Sequence, residues 1–185
     1  MRNRKTSRLV GAVILLVAAF MVVTPDAKAS ARKGTTETWV AGAWQATPSL
    51  FLTGAGDLPS GACRGVPYTA LATLMGSFSG TWLEKSMTAS CDTTQLPKHL
   101  RYHSSGKGTL SGVYFGDLSH GTLTWTGHWD GDMISGESTG VFEITGGGGD
   151  ATFRCSSGHL TFAGYTTAPT SFGGWSGSWV HGCPK

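Results

Sequence analysis

A five-residue phrase occurs four times between residues 78 and 179, and it narrows what this chain can fold into. It reads apolar, Ser or Thr, Gly, any residue, aromatic. The copies are Phe78-Ser-Gly-Thr-Trp82, Leu110-Ser-Gly-Val-Tyr114, Trp125-Thr-Gly-His-Trp129 and Trp175-Ser-Gly-Ser-Trp179. In an extended chain side chains alternate, so the first, third and fifth positions share one face. Each copy presents a large apolar group, a gap at Gly and an aromatic on one side, with small polar groups on the other. That pattern describes a half-buried strand, four times over.

The N-terminus predicts the compartment. Arg2, Arg4, Lys5 and Arg8 precede an uncharged apolar run from Leu9 to Val23, and Ala27-Lys28-Ala29 offers a small-residue exit, with Ala29-Ser30-Ala31 as a second option. A basic start, a short apolar run and such an exit make a cleaved secretory signal peptide over residues 1–29. The run is short for a membrane span, which needs about 20 apolar residues. The expectation is therefore a secreted, extracellular chain with no membrane attachment once mature, with an uncleaved N-terminal anchor as the alternative.

Removal of that segment also removes the basic character. Residues 1–29 hold five of the 14 basic residues and one of the 11 acids, which leaves 9 basic and 10 acidic. No Lys- or Arg-rich stripe remains to neutralise phosphates, so nucleic acid is not an expected partner. The remaining 156 residues hold 27 of the 28 Gly and all 7 Trp. Gly without a three-residue period is not collagen-like. Interspersed with aromatics and β-branched residues, it reads as strands with many turns.

Cys63, Cys91, Cys155 and Cys183 all lie in the exported part. An even count in an oxidising compartment implies two disulfides, and three pairings are possible. Nearest-in-sequence pairing, Cys63–Cys91 and Cys155–Cys183, suits strands joined in a meander. No close C-x-x-C spacing points to a zinc site, and no metal or cofactor is expected.

Residues 30–65 read as a flexible leader, a first strand at 36–46 and a long loop rich in Pro, Gly and Ser at 47–64. Residues 66–185 form the core, to which 36–46 can add a strand. Further strands are expected at 66–75, 77–84, 86–91, 100–103, 109–115, 122–129, 134–145, 151–163 and 174–180, with loops at 92–98 and 166–173. Asp130-Gly-Asp132 reads as a tight hairpin turn, because Asp-Gly supplies positive φ. Apart from the signal segment, no stretch shows sustained apolar spacing at 3 and 4 residues. Short strands at this spacing predict an all-β sandwich or barrel. Gly between same-face aromatics permits bends and close strand approach, which closure requires. The expectation is one antiparallel, eight-stranded closed β-barrel, with a sandwich as the alternative.

The run Gly140-Val-Phe-Glu-Ile-Thr-Gly-Gly-Gly-Gly-Asp150, with Gly158-His-Leu-Thr-Phe162 and Gly173-Gly-Trp-Ser-Gly-Ser-Trp179, resembles the C-terminal half of allene oxide cyclase-like barrels. These belong, with the dirigent proteins and bacterial secreted relatives, to a calycin-type β-barrel superfamily. Gly76-Ser-Phe-Ser-Gly-Thr-Trp82 and Gly108-Thr-Leu-Ser-Gly-Val-Tyr114 fit the same pattern, so the likeness covers residues 67–181. Gly148 stands where the family pattern has Thr. The resemblance implies an eight-stranded barrel; the cyclases' active-site residues do not map onto this chain.

Candidate chemistry is sparse. His99 and His103 are four apart, without a third ligand at telling spacing, so they read as loop or surface groups. Asp130, Asp132, Glu137 and Glu143 cluster around one predicted hairpin. Paired carboxylates can hydrolyse glycosides, but Asp130 and Asp132 are also turn formers and Glu143 alternates away from Phe142 and Ile144. Tyr68, Tyr102, Tyr114 and Tyr165 are proton donors that nothing distinguishes. The aromatics Phe78, Trp82, Tyr114, Trp125, Trp129, Trp175 and Trp179 either fill the barrel or line a site for a small apolar or aromatic molecule. Ligand binding without catalysis is the leading expectation. A cofactor-free cyclase or isomerase, as the resemblance implies, is the second. A cell-surface carbohydrate- or protein-binding module, which predicts outward Trp39 and Trp44, is the third.

Overall fold

The computed structural model describes residues 34–46, 68–167 and 170–183. The expected signal peptide, the rest of the leader and the 47–64 loop lie outside the described residues. Eight strands follow in order: β1 Thr36–Ala46, β2 Tyr68–Gly76, β3 Phe78–Asp92, β4 Arg101–Tyr114, β5 Ser119–Asp132, β6 Glu137–Gly149, β7 Ser157–Thr167 and β8 Thr170–His181. Each pairs antiparallel with the next, and β1 pairs with β8 from Thr36–His181 to Ala46–Ser171. The sheet thus closes as an up-and-down barrel in which β1 is the seam strand. Closure leaves no free edge on the sheet.

All four phrases keep their predicted parity. Phe78, Trp82, Leu110, Trp125, Trp129, Trp175 and Trp179 are buried in the core, with Tyr114 packed against it. Among the glycines between them, Gly127 lies against the Phe142 ring, whereas Gly80, Gly112 and Gly177 let neighbouring backbones approach closely; rings are received at other inward glycines. A Cβ on Gly108 would run into the Trp125 ring and the Leu83 carbonyl, and one on Gly173 would stand 2.6 Å from Trp44 Nε1. Large and absent side chains alternate along the inner face, so rings from adjacent strands interdigitate at close packing.

Several expected boundaries shift. The segments 77–84 and 86–91 form one strand, β3. Ser86 adopts φ 54° and the β3–β4 register slips between Lys85 and Thr88, a bulge that bends the strand without ending it. The segments 100–103 and 109–115 likewise merge into β4. Asp130-Gly-Asp132 is not the turn: β5 continues to Asp132, with Gly131 paired to Tyr102. A Cβ on Gly131 would stand 2.5 Å from the Tyr102 ring, so this glycine serves ring packing. The turn follows at 133–136, where Gly136 takes φ 79° and Asp132 accepts backbone N–H bonds from Ile134 (2.8 Å) and Leu100 (3.1 Å). Residues 151–163 contain a short 3-10 turn, Ala151–Phe153, before β7 begins at Ser157. The expected 166–173 loop shortens, because β7 runs to Thr167 and β8 starts at Thr170.

The 3-10 turn inserts Phe153 into one barrel end. Its ring lies 5.4 Å from Trp179 and 6.0 Å from Phe78. Trp179 Nε1 donates to Ser156 Oγ (3.0 Å), which in turn donates to the Phe153 carbonyl (2.7 Å). Beside this plug, Cys155 and Cys183 are bridged, with Cα atoms 5.1 Å apart. That is the predicted second pair. Cys91 is also disulfide-bonded; Cys63, its expected partner, lies outside the described residues.

Candidate functional site

Among the described residues, none plugs the opposite end of the barrel, where β1 ends and β2 begins, as Phe153 does the first. There the inward faces leave a recess with a cavity volume of about 30 Å³. Its aromatic walls are Trp44 from β1, Trp82 from β3, Tyr102 from β4, Trp129 from β5 and Phe162 from β7. Ala46, Ala70, Leu71 and Ala72 complete the apolar lining, and Glu84, Ser138 and Ser171 contribute its polar groups.

Glu84 defines the chemistry. It is 4% exposed and is the only charged side chain among the buried residues described. Trp129 Nε1 donates to its Oε1 at 2.6 Å, and Trp82 Nε1 donates to the same oxygen at 3.3 Å. Oε2 has no hydrogen-bond partner among the described residues. Burial disfavours the charged form and pushes the Glu84 carboxyl up to about 7, although the two indole donors pull in the other direction. Tyr102 is pushed up to about 12 by burial first and then by the negative charge of Glu84, with a hydrogen bond to Ser138 opposing. The site therefore combines a neutral phenol with a carboxyl that changes charge near neutrality, both set in aromatic walls.

Of the residues singled out from sequence, Trp82 and Trp129 line this recess. Trp125 stacks on Trp82 at 4.3 Å and 8°, one layer deeper. Phe78, Tyr114 and Trp179 pack together toward the plugged end, and Trp175 joins them through Phe78. Trp44 faces inward, whereas Trp39 is 52% exposed. Among the acids, Asp130 and Asp132 lie on the outer face of β5. His103 Nδ1 is 2.8 Å from Asp130, and His99 Nδ1 is 2.5 Å from Asp132. That contact with His99, followed by the backbone bonds, holds Asp132 down to about 2. Among the described residues no group of three or more His, Cys, Asp or Glu is placed to hold a metal.

Glu84 is the residue that sequence reasoning passed over, and Tyr102 is one it named without distinguishing it from the other tyrosines. The signal was present, because parity carried two residues beyond Trp82 puts Glu84 inside. Counting back by twos from Leu110 does the same for Tyr102.

No family model matches the chain, and no curated protein matches it in sequence. Among solved structures, a pterocarpan synthase dirigent protein aligns at 14% identity with a TM-score of 0.45, over 89% of this chain and all of that one. A likeness this distant transfers neither ligand nor activity, and the barrel assignment rests on the strand pairing of this chain itself.

Proposed function

We propose that the protein is an exported, disulfide-stabilised barrel that binds a small apolar or aromatic molecule, without catalysis, through one end of its barrel. The observation that carries this reading is the buried Glu84 oxygen with no partner among the described residues, facing a recess walled by five aromatics. Concave apolar sites with one or two fixed polar groups are the usual form of small-molecule sites. With about 30 Å³ available, only the head of a ligand enters, and its body lies at the mouth. Export through residues 1–29 is supported by the oxidised cysteines, since such bridges persist outside the reducing cytosol.

A ligand screen read by the indole N–H resonances tests it. Bound compounds are expected to move Trp82 and Trp129 and to leave Trp179, at the plugged end, unmoved. A panel of small aromatic and aliphatic compounds that moves neither Trp82 nor Trp129 overturns the reading. The second reading, a cofactor-free isomerase or cyclase, is favoured by one feature: a carboxyl titrating at about 7 suits general acid–base work.

A further inference from the structure

Among the described residues, the proposed recess holds one acid and no compensating base. From every strand that faces Glu84, the groups presented are uncharged: Trp44 from β1, Ala70 and Ala72 from β2, Tyr102 from β4, Trp129 from β5, Ser138 from β6, Phe162 from β7 and Ser171 from β8. Among the described residues no Lys, Arg or His lines it. Lys85 and Lys107 belong to the same pair of strands but are exposed. A carboxylate buried without a cation is costly, and a protein meets that cost by retaining the proton or by accepting a positive charge. Ring faces add attraction for a cation, because their quadrupoles place negative potential above the plane.

Orientation and size narrow the class. Both indoles occupy Oε1, so Oε2 is left for a donor from outside. The other lining atom without a partner among the described residues, Trp44 Nε1, sits over the β8 backbone at Gly173. A cavity of about 30 Å³ holds roughly two water-sized groups, taking 10–15 Å³ for each. An ammonium nitrogen and its first carbon match that size, which favours a small head over a bulkier trimethylammonium one.

We propose that this recess receives the head of a primary alkylammonium ion, with its N–H groups on Glu84 Oε2 and its first methylene among the aromatic walls. The inference rests on the small-ligand reading above and names its ligand class. Because the bound form needs ionised Glu84, affinity rises with pH across the titration of that group while the amine stays charged.

The test uses the purified oxidised protein and four probes: butylammonium, 1-butanol, butyrate and butyltrimethylammonium, followed by the Trp82 and Trp129 indole resonances. Butylammonium is expected to bind at least about tenfold more tightly than the other three, and about tenfold more weakly at about pH 6 than at about pH 8. Glu84→Gln keeps an acceptor for both indoles and is expected to abolish the preference for butylammonium over butanol. Where that variant does not fold, as judged by circular dichroism, the pH dependence of the wild type decides. If butanol, butyrate or the trimethyl compound binds as tightly, or if Glu84→Gln keeps the preference, the cation class is overturned while the small-ligand reading stands. If none of the four moves Trp82 or Trp129 but other compounds do, this inference alone falls; if nothing does, both fall.

Discussion

Glu84 sits in a barrel whose inner face is otherwise aromatic, aliphatic or small and polar, and its protonation couples to folding. Its carboxyl is raised in the folded state from 4.5 to about 7. Between these values the folded protein binds the proton more tightly than the unfolded chain does. The contribution is therefore fully present below about pH 4.5 and is lost as pH rises through about 7. A shift of this size corresponds to something on the order of 3 kcal/mol, at about 1.4 kcal/mol per unit. Asp132, Asp117 and Asp92 are all lowered and slope the opposite way, so the effect must be isolated by difference. Urea melts of the wild type and Glu84→Gln across that window are expected to show a wild-type advantage at acid pH that shrinks toward neutrality. A difference that does not change with pH would mean Glu84 titrates normally.

At the scale of the strand, glycine has two different jobs here. Gly108 lies inside β4, where a Cβ would meet the Leu83 carbonyl and the Trp125 ring. Gly148, in β6, has nothing within 4 Å of the point where a methyl group would stand. Gly108→Ala is therefore expected to destabilise by about 1–3 kcal/mol or more, through overpacking against a backbone that cannot retreat. Gly148→Ala is expected to be neutral or to stabilise by up to about 1 kcal/mol, by restricting the unfolded chain. Denaturation midpoints at unchanged m-value measure both. Similar losses at the two positions would show that the inner-face interdigitation is not what holds these strands in place.

For the whole barrel, closure depends on the long-range β1–β8 pairing, which joins residues far apart in sequence. The Cys155–Cys183 bridge lies next to that seam, linking the segment before β7 to the tail after β8 across a separation of 28 residues. In the chain-entropy account a loop of this length contributes about 3–4 kcal/mol by restricting the unfolded chain. The double variant Cys155→Ala/Cys183→Ala is expected to lose roughly that much in urea. It should also show faster hydrogen exchange at the β8 end than at β4 and β5, since chain ends fray unless they are tied down. Uniform exchange throughout would show that the bridge does not protect the seam locally.

Much of this architecture is local in origin. The alternation in the four phrases assigns inner and outer faces before any contact is known, because successive side chains of an extended chain must point to opposite sides. The same parity, carried two residues past Trp82, places Glu84 inside. The Cys155–Cys183 pair followed from meander order. Tertiary packing decided the rest. Asp130-Gly-Asp132 has turn chemistry, yet Gly131 is held in β5 by the Tyr102 ring above it. Ser86 bends β3 because two strands must stay paired across it. Whether seven aromatics filled the barrel or left a recess depended on which rings met across it, and on Phe153 closing one end. Parity is a property of a single strand, whereas a cavity, a shifted carboxyl and a closed seam arise between strands distant in sequence, and no local pattern encodes those distances.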